Sequence, residues 1–176
     1  ELLLRGYFTE VSEWCEKHAV EFSGHLMGED TLPAQISFTG ACMPLYEKMQ
    51  LPGIDHLTLS LSWSHWTRES SHRFVMTPKQ CTSASNQLRD GRALAEMYGV
   101  STQGITFEDR KRISDWFSLL GINVRCLHGT FYSLRGRRKR IYAPHLSYQQ
   151  PWWGQNRVVS DYCARVSYAL RQGTFR

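Results

Sequence analysis

No apolar run approaches the roughly eighteen residues a helix needs to cross a bilayer, so nothing in the 176 residues reads as a membrane span. Collagen-like, coiled-coil and low-complexity patterns are missing too. Only five cysteines occur: Cys15, Cys42, Cys81, Cys126 and Cys163. They lie far apart, odd in number and without a C-x-x-C pair, which argues against a disulfide scaffold or a zinc knuckle. Mostly buried free thiols are the simpler expectation. No G-x-G-x-x-G, no G-x-x-x-x-G-K-[ST] and no G-x-S-x-G occurs, so nucleotide-binding enzymes and serine hydrolases lose ground. No signal peptide opens the chain. It starts at Glu1, inside a helical pattern, and stops just past another, which reads as a piece of a longer protein.

What is present in excess is local. The net charge is +5, and Arg135, Arg137, Arg138, Lys139 and Arg140 supply five positives in six positions. Without them the chain is close to neutral. No RNA- or DNA-binding motif accompanies the cluster, so a solvated loop is the simpler reading than a nucleic-acid surface. Aromatics make up 12% of residues, six of them Trp, which suits a sugar or base platform as well as a packed core.

Hydrophobic periodicity orders the chain as a helix followed by strand–helix units. Phe8, Val11, Trp14, Cys15 and His18 share one helical face, and Ala19–Ser23 reads as a strand. Residues 24–30 read as a loop. Met43–Gln50 is expected to be helical, followed by Pro52-Gly53 and then by Ile54–Leu57 as a very short strand. Residues 58–76 read as a loop carrying Trp63 and Trp66. Thr77-Pro78 has the form of a helix start and Asp90-Gly91 of its end. A strand from Arg92 runs into Glu96. Thr106-x-x-Asp109 resembles a capping box for the next helix, which Gly121 closes before the strand Ile122–Leu127. A long loop over 129–153 holds the basic cluster and Trp152-Trp153, and the last helix covers about Asn156–Arg171. Strands starting near 20, 54, 92 and 122 have the spacing of βα units, so the fold class is α/β with a parallel sheet.

Function in parallel α/β folds sits at the carboxyl ends of the strands. Those ends carry His25 and Glu29, Asp55 and His56, Glu96 and Tyr98, and His128 and Tyr132. His, Asp, Glu and Trp are the residue types of carbohydrate cleavage. There two carboxyl groups flank the bond and aromatic faces stack on the sugar.

The ordered set Trp14-Cys15-x-Lys17-His18, Ser23-Gly24-His25, Gly53-Ile-Asp-His-Leu57, Thr77-Pro78-Lys-Gln80, Arg92-Ala-Leu-Ala-Glu96, Asp115-Trp116, Gly121-Ile-Asn123 and Leu127-His128 resembles the barrel of large bacterial glycoside hydrolases related to families 2 and 106, the latter α-L-rhamnosidases. The resemblance covers nearly the whole chain. It implies a partial (β/α)8 TIM barrel, roughly strands five to eight with their helices, over residues 1–176. It further implies hydrolysis of O-glycosidic bonds of a complex polysaccharide, such as a plant one, by a carboxylate pair. Glu96 on strand seven is then the catalytic carboxylate contained here. The acid/base partner would belong to strand four, in the half of the barrel before Glu1, so the fragment alone would be inactive.

His25, Glu29, Asp55, His56, Tyr98, His128, Tyr132 and Trp152 are the expected substrate contacts, with His128 and Tyr98 as donors to Glu96. Each has an ordinary structural alternative: a hydrogen-bonded strand-end histidine, a turn-capping Asp55, a Trp152 that packs the long loop. No cofactor is expected. The resemblance to rhamnosidases allows a Ca²⁺ site, but no calcium-loop spacing is visible. The expected partner is a carbohydrate, with no nucleic acid and no membrane, and a periplasmic or secreted location follows from the resemblance. A non-catalytic glycan-binding barrel is the alternative, with a nucleic-acid-binding module behind it.

Overall fold

The computed structural model describes residues 1–59, 73–140 and 144–173. Trp63 and Trp66 lie outside the described residues. A π-helical segment, Leu4–Thr9, leads into helix α1 (Glu10–Lys17). Ala19, at a left-handed φ of 55°, turns the chain out of α1, so the strand expected at Ala19–Ser23 is cut back to β1 (Ser23–Gly24). Helices α2 (Leu32–Phe38) and α3 (Met43–Tyr46) follow. No helix was expected over α2, although Thr31 caps it, accepting from the Ala34 amide, with Pro33 in the first turn. The Met43–Gln50 helix is only one turn long. The strand expected at Ile54–Leu57 starts earlier and takes in Pro52-Gly53, as β2 (Leu51–Leu57).

Helix α4 (Arg73–Leu88) corrects a second expectation. Thr77 is not its cap. It is buried inside the helix, next to an internal Pro78. Proline has no N–H for the carbonyl four residues back. That carbonyl belongs to Phe74, and the Trp116 indole Nε1 donates to it at 2.9 Å. A side chain from the next helix therefore replaces the bond that Pro78 cannot make.

Strand β3 (Leu94–Gly99), helix α5 (Phe107–Leu119), strand β4 (Val124–Leu127) and helix α6 (Asn156–Leu170) complete the order. The capping box is present: the Thr106 side chain accepts from the Asp109 amide, and Asp109 accepts from the Thr106 amide. The basic cluster forms a short 3₁₀ helix, Gly136–Arg140.

The four strands pair in the order β1-β2-β3-β4, all parallel. The fold is mixed α/β with a four-stranded parallel sheet, as the alternation implies. Side chains alternate across a strand. On one face Ile54, Ala95 and Met97 are buried against helical residues such as Ile113 and Phe117. Each large core side chain of this kind contributes about 1.5–3 kcal/mol by leaving water. On the opposite face stand Asp55 and Glu96, half-buried, and Cys126, exposed.

Candidate functional site

Register brings the polar face into one row. Asp55 of β2 pairs with Glu96 of β3, and Glu96 pairs with Cys126 of β4. His25 follows β1 and His128 follows β4, so both enter at the carboxyl end of the sheet. His25 Nε2 lies 3.5 Å from Glu96 Oε2, and His128 Nε2 lies 3.9 Å from Glu96 Oε1. His25 Nδ1 is 3.2 Å from the Leu26 carbonyl, which can only accept. Nδ1 thus faces a carbonyl and Nε2 a carboxylate, both of them acceptors.

The Glu96 side chain is 27% exposed, which leaves room for a reacting atom. Asp55 differs. Burial first, then the negative charge of Glu96, holds its carboxyl above the ordinary aspartate value, while His25 and His128 act in the opposite sense. Its Oδ1 is buried with no hydrogen-bond partner among the described residues. The arrangement joins an open carboxylate, a second carboxyl biased toward its protonated form and two imidazoles. It contains the groups that nucleophilic or base catalysis and proton transfer require.

Other expected site residues are not brought to Glu96. The Glu29 carboxylate is 5% exposed and clasps the 25–30 loop to the sheet. It accepts from Leu26 N at 2.8 Å, Tyr46 Oη at 2.9 Å and Asp55 N at 3.2 Å. Burial outweighs those donors and pushes Glu29 up to about 7. His56 is 3% exposed, on the helix side of β2, its ring edge-on to Phe117 at 4.9 Å. Tyr98 is buried on that same side; its hydroxyl donates to the Arg110 carbonyl at 3.0 Å, so it is not a donor to Glu96. Trp152 packs edge-on to Phe107 at 5.4 Å, with the Arg110 guanidinium 5.4 Å from its ring. That is packing of the long loop onto α5. Tyr132 is fully exposed at the start of the basic tip, away from the pairings of Glu96.

The sequence reading passed over Cys126 and His145. Cys126 had a usable signal, because it stands two residues before His128 on the same alternation. His145 had none: it comes from the far side of the long loop, is fully buried, and accepts the Phe131 amide at Nδ1. Beside the cluster, Asp55, His25 and Glu29 line a cavity of about 220 Å³ bounded by Phe74 and Phe117. Among the described residues no group of three or more His, Cys, Asp or Glu side chains is placed to hold a metal ion.

No family model matches the chain, and no curated protein matches it. A solved structure does: a rhamnosidase from Novosphingobium sp. PP1Y, at a TM-score of 0.74 and 17% identity. The match covers 98% of this chain and 16% of that one. At this identity the likeness is one of fold. The chain shares its architecture with a segment of that protein, and it spans a small part of that protein's length.

Proposed function

We propose that residues 1–176 form the last four βα units of an eight-stranded barrel in a glycoside hydrolase, with Glu96 as the second catalytic carboxylate. The observation that carries this reading is the position of Glu96. It stands within parallel strand β3 on the face away from the helices, paired with Asp55 in register, and two histidines that follow β1 and β4 at the carboxyl end of the sheet reach it within 4 Å. The fold likeness to a rhamnosidase supports the reaction class and makes a rhamnoside the first substrate to try. Two further features support completion by other chain. Among the described residues β1 and β4 each have a neighbour on one side only, and the polar row faces away from the helical core.

In this reading Glu96 attacks the anomeric carbon if configuration is retained, or takes a proton from water if it is inverted. The acid that protonates the leaving oxygen comes from the preceding half of the barrel. His25 and His128 hold Glu96 in place and offer protons to the sugar hydroxyls.

The test is Glu96→Gln in the full-length protein, assayed on a chromogenic rhamnoside. Turnover should fall by roughly a thousandfold or more, with the folding midpoint nearly unchanged. Activity near wild type removes Glu96 from the mechanism. Wild-type protein that binds glycan but turns nothing over assigns the barrel to binding alone.

A further inference from the structure

The loop that leaves β4 holds cations that the catalytic reading does not use. Arg135, Arg137, Arg138, Lys139 and Arg140 are all exposed, and among the described residues none is paired with a carboxylate. Like charges packed into six positions repel one another. Among the described residues no carboxylate offsets that cost, so the arrangement is one that an anionic ligand relieves.

The position of this tip is fixed by its neck. Leu146 N donates to Gly129 O at 2.9 Å, and Thr130 Oγ1 to Leu146 O at 3.2 Å. Phe131 N donates to His145 Nδ1 at 3.0 Å. Gln103, just past β3, accepts at Oε1 from His145 N at 3.1 Å and from Gln150 Nε2 at 2.8 Å. These bonds cinch residues 129–131 against 144–146 immediately after His128. The cations are thus displayed from the same end of the sheet as Glu96. At the head of the tip stands the fully exposed Tyr132, an aromatic face of the kind that stacks on a pyranose ring.

We propose that this tip binds the carboxylates of a uronic-acid-containing polysaccharide and so sets the substrate class of the site. The inference deepens the reading above and rests on it. Arginine forks fit planar carboxylates with two parallel hydrogen bonds. Five residues of 3₁₀ helix span roughly 10 Å, the length of about two sugar units rather than of an extended nucleic-acid track. The charge is confined to this tip, where a nucleic-acid surface spreads its cations along a face.

The experiment measures binding of the full-length protein to polygalacturonate, its fully methyl-esterified form and a single-stranded oligonucleotide, at low and moderate salt. Polygalacturonate should bind at least tenfold more tightly than the ester, and added salt should weaken it. Replacing Arg137, Arg138, Lys139 and Arg140 together with Gln should lose most of that preference. A variant with Arg137→Lys, Arg138→Lys and Arg140→Lys should retain affinity within a fewfold, which separates lost charge from lost folding. Equal binding of the ester, unchanged binding by the Gln variant, or tighter binding of the oligonucleotide overturns the proposal. Binding needs no turnover, so Glu96→Gln should bind polygalacturonate like wild type. If Glu96→Gln stays active while the charge preference holds, the catalytic assignment fails and this one stands.

Discussion

Asp55 and Glu96 occupy paired positions on adjacent parallel strands, and the charge of Glu96 helps keep the Asp55 carboxyl above its ordinary range. Burial is the larger cause. The proton affinity of Asp55 therefore senses the charge of Glu96. Glu96→Gln removes that charge and should lower the midpoint of Asp55, followed by carbon NMR of the aspartate carboxyl. A midpoint that stays put would mean the two groups do not sense each other.

Glu29 predicts a pH trend in stability of opposite sign to that of a salt-bridged carboxylate. Its folded value is raised from 4.5 to about 7 by burial, so the folded state holds the proton more tightly than the unfolded one. Its contribution is full below about 4.5, falls as pH rises through the window up to about 7, and is flat above it. The swing is on the order of 3 kcal/mol. Denaturant unfolding of the full-length protein at pH 5 and pH 8 should show this loss in the wild type. Glu29→Gln should flatten the difference, whatever its effect on absolute stability.

Gly53 stands where β1 leaves no room for a side chain on β2. A Cβ built there would meet the Gly24 carbonyl oxygen at 2.6 Å and Leu94 Cδ2 at 3.0 Å. Backbone cannot give way like a flexible side chain, so Gly53→Ala should push β1 outward. A cost of about 1–3 kcal/mol is expected. Because His25 follows β1 directly, the site should suffer as well, seen as reduced turnover together with a lower melting midpoint. A variant as stable and active as wild type would show that the contact relaxes freely.

The Trp116–Pro78 arrangement is open to a double-mutant cycle. Trp116→Phe keeps an aromatic side chain, smaller by one ring, and removes the indole donor to Phe74 O; the hydrogen bond alone is worth about 1 kcal/mol. Pro78→Ala restores an N–H one helical turn beyond Phe74. In the Pro78→Ala background, the Trp116→Phe change should therefore cost measurably less. Equal costs in both backgrounds would mean the two residues act separately.

Local chemistry sufficed for much of the architecture. Thr106 and Asp109 start α5 because their side chains satisfy the first amides of that helix, whatever the rest of the molecule does. Alternating burial along β3 puts Met97 in the core and Glu96 on the far face, a consequence of pleating alone. The unbroken βα order implied parallel pairing and put His25 and His128 just past strands, whereas Asp55 and Glu96, expected at strand ends, stand inside β2 and β3. What the sequence did not decide was which strand-end residues face each other. Glu29, His56 and Tyr98 have the same local signature as the cluster, yet each is buried in contacts with residues far away in sequence: Tyr46, Phe117 and Arg110. Thr77-Pro78 reads as a helix start because the bond that stands in for the one Pro78 lacks, from Trp116 Nε1 to Phe74 O, is not local. Register, the face of the sheet that the helices cover, and the neck that holds the basic tip beside β4 are set by contacts between distant segments. Tertiary structure alone separates the residues that meet Glu96 from those that hold the scaffold together.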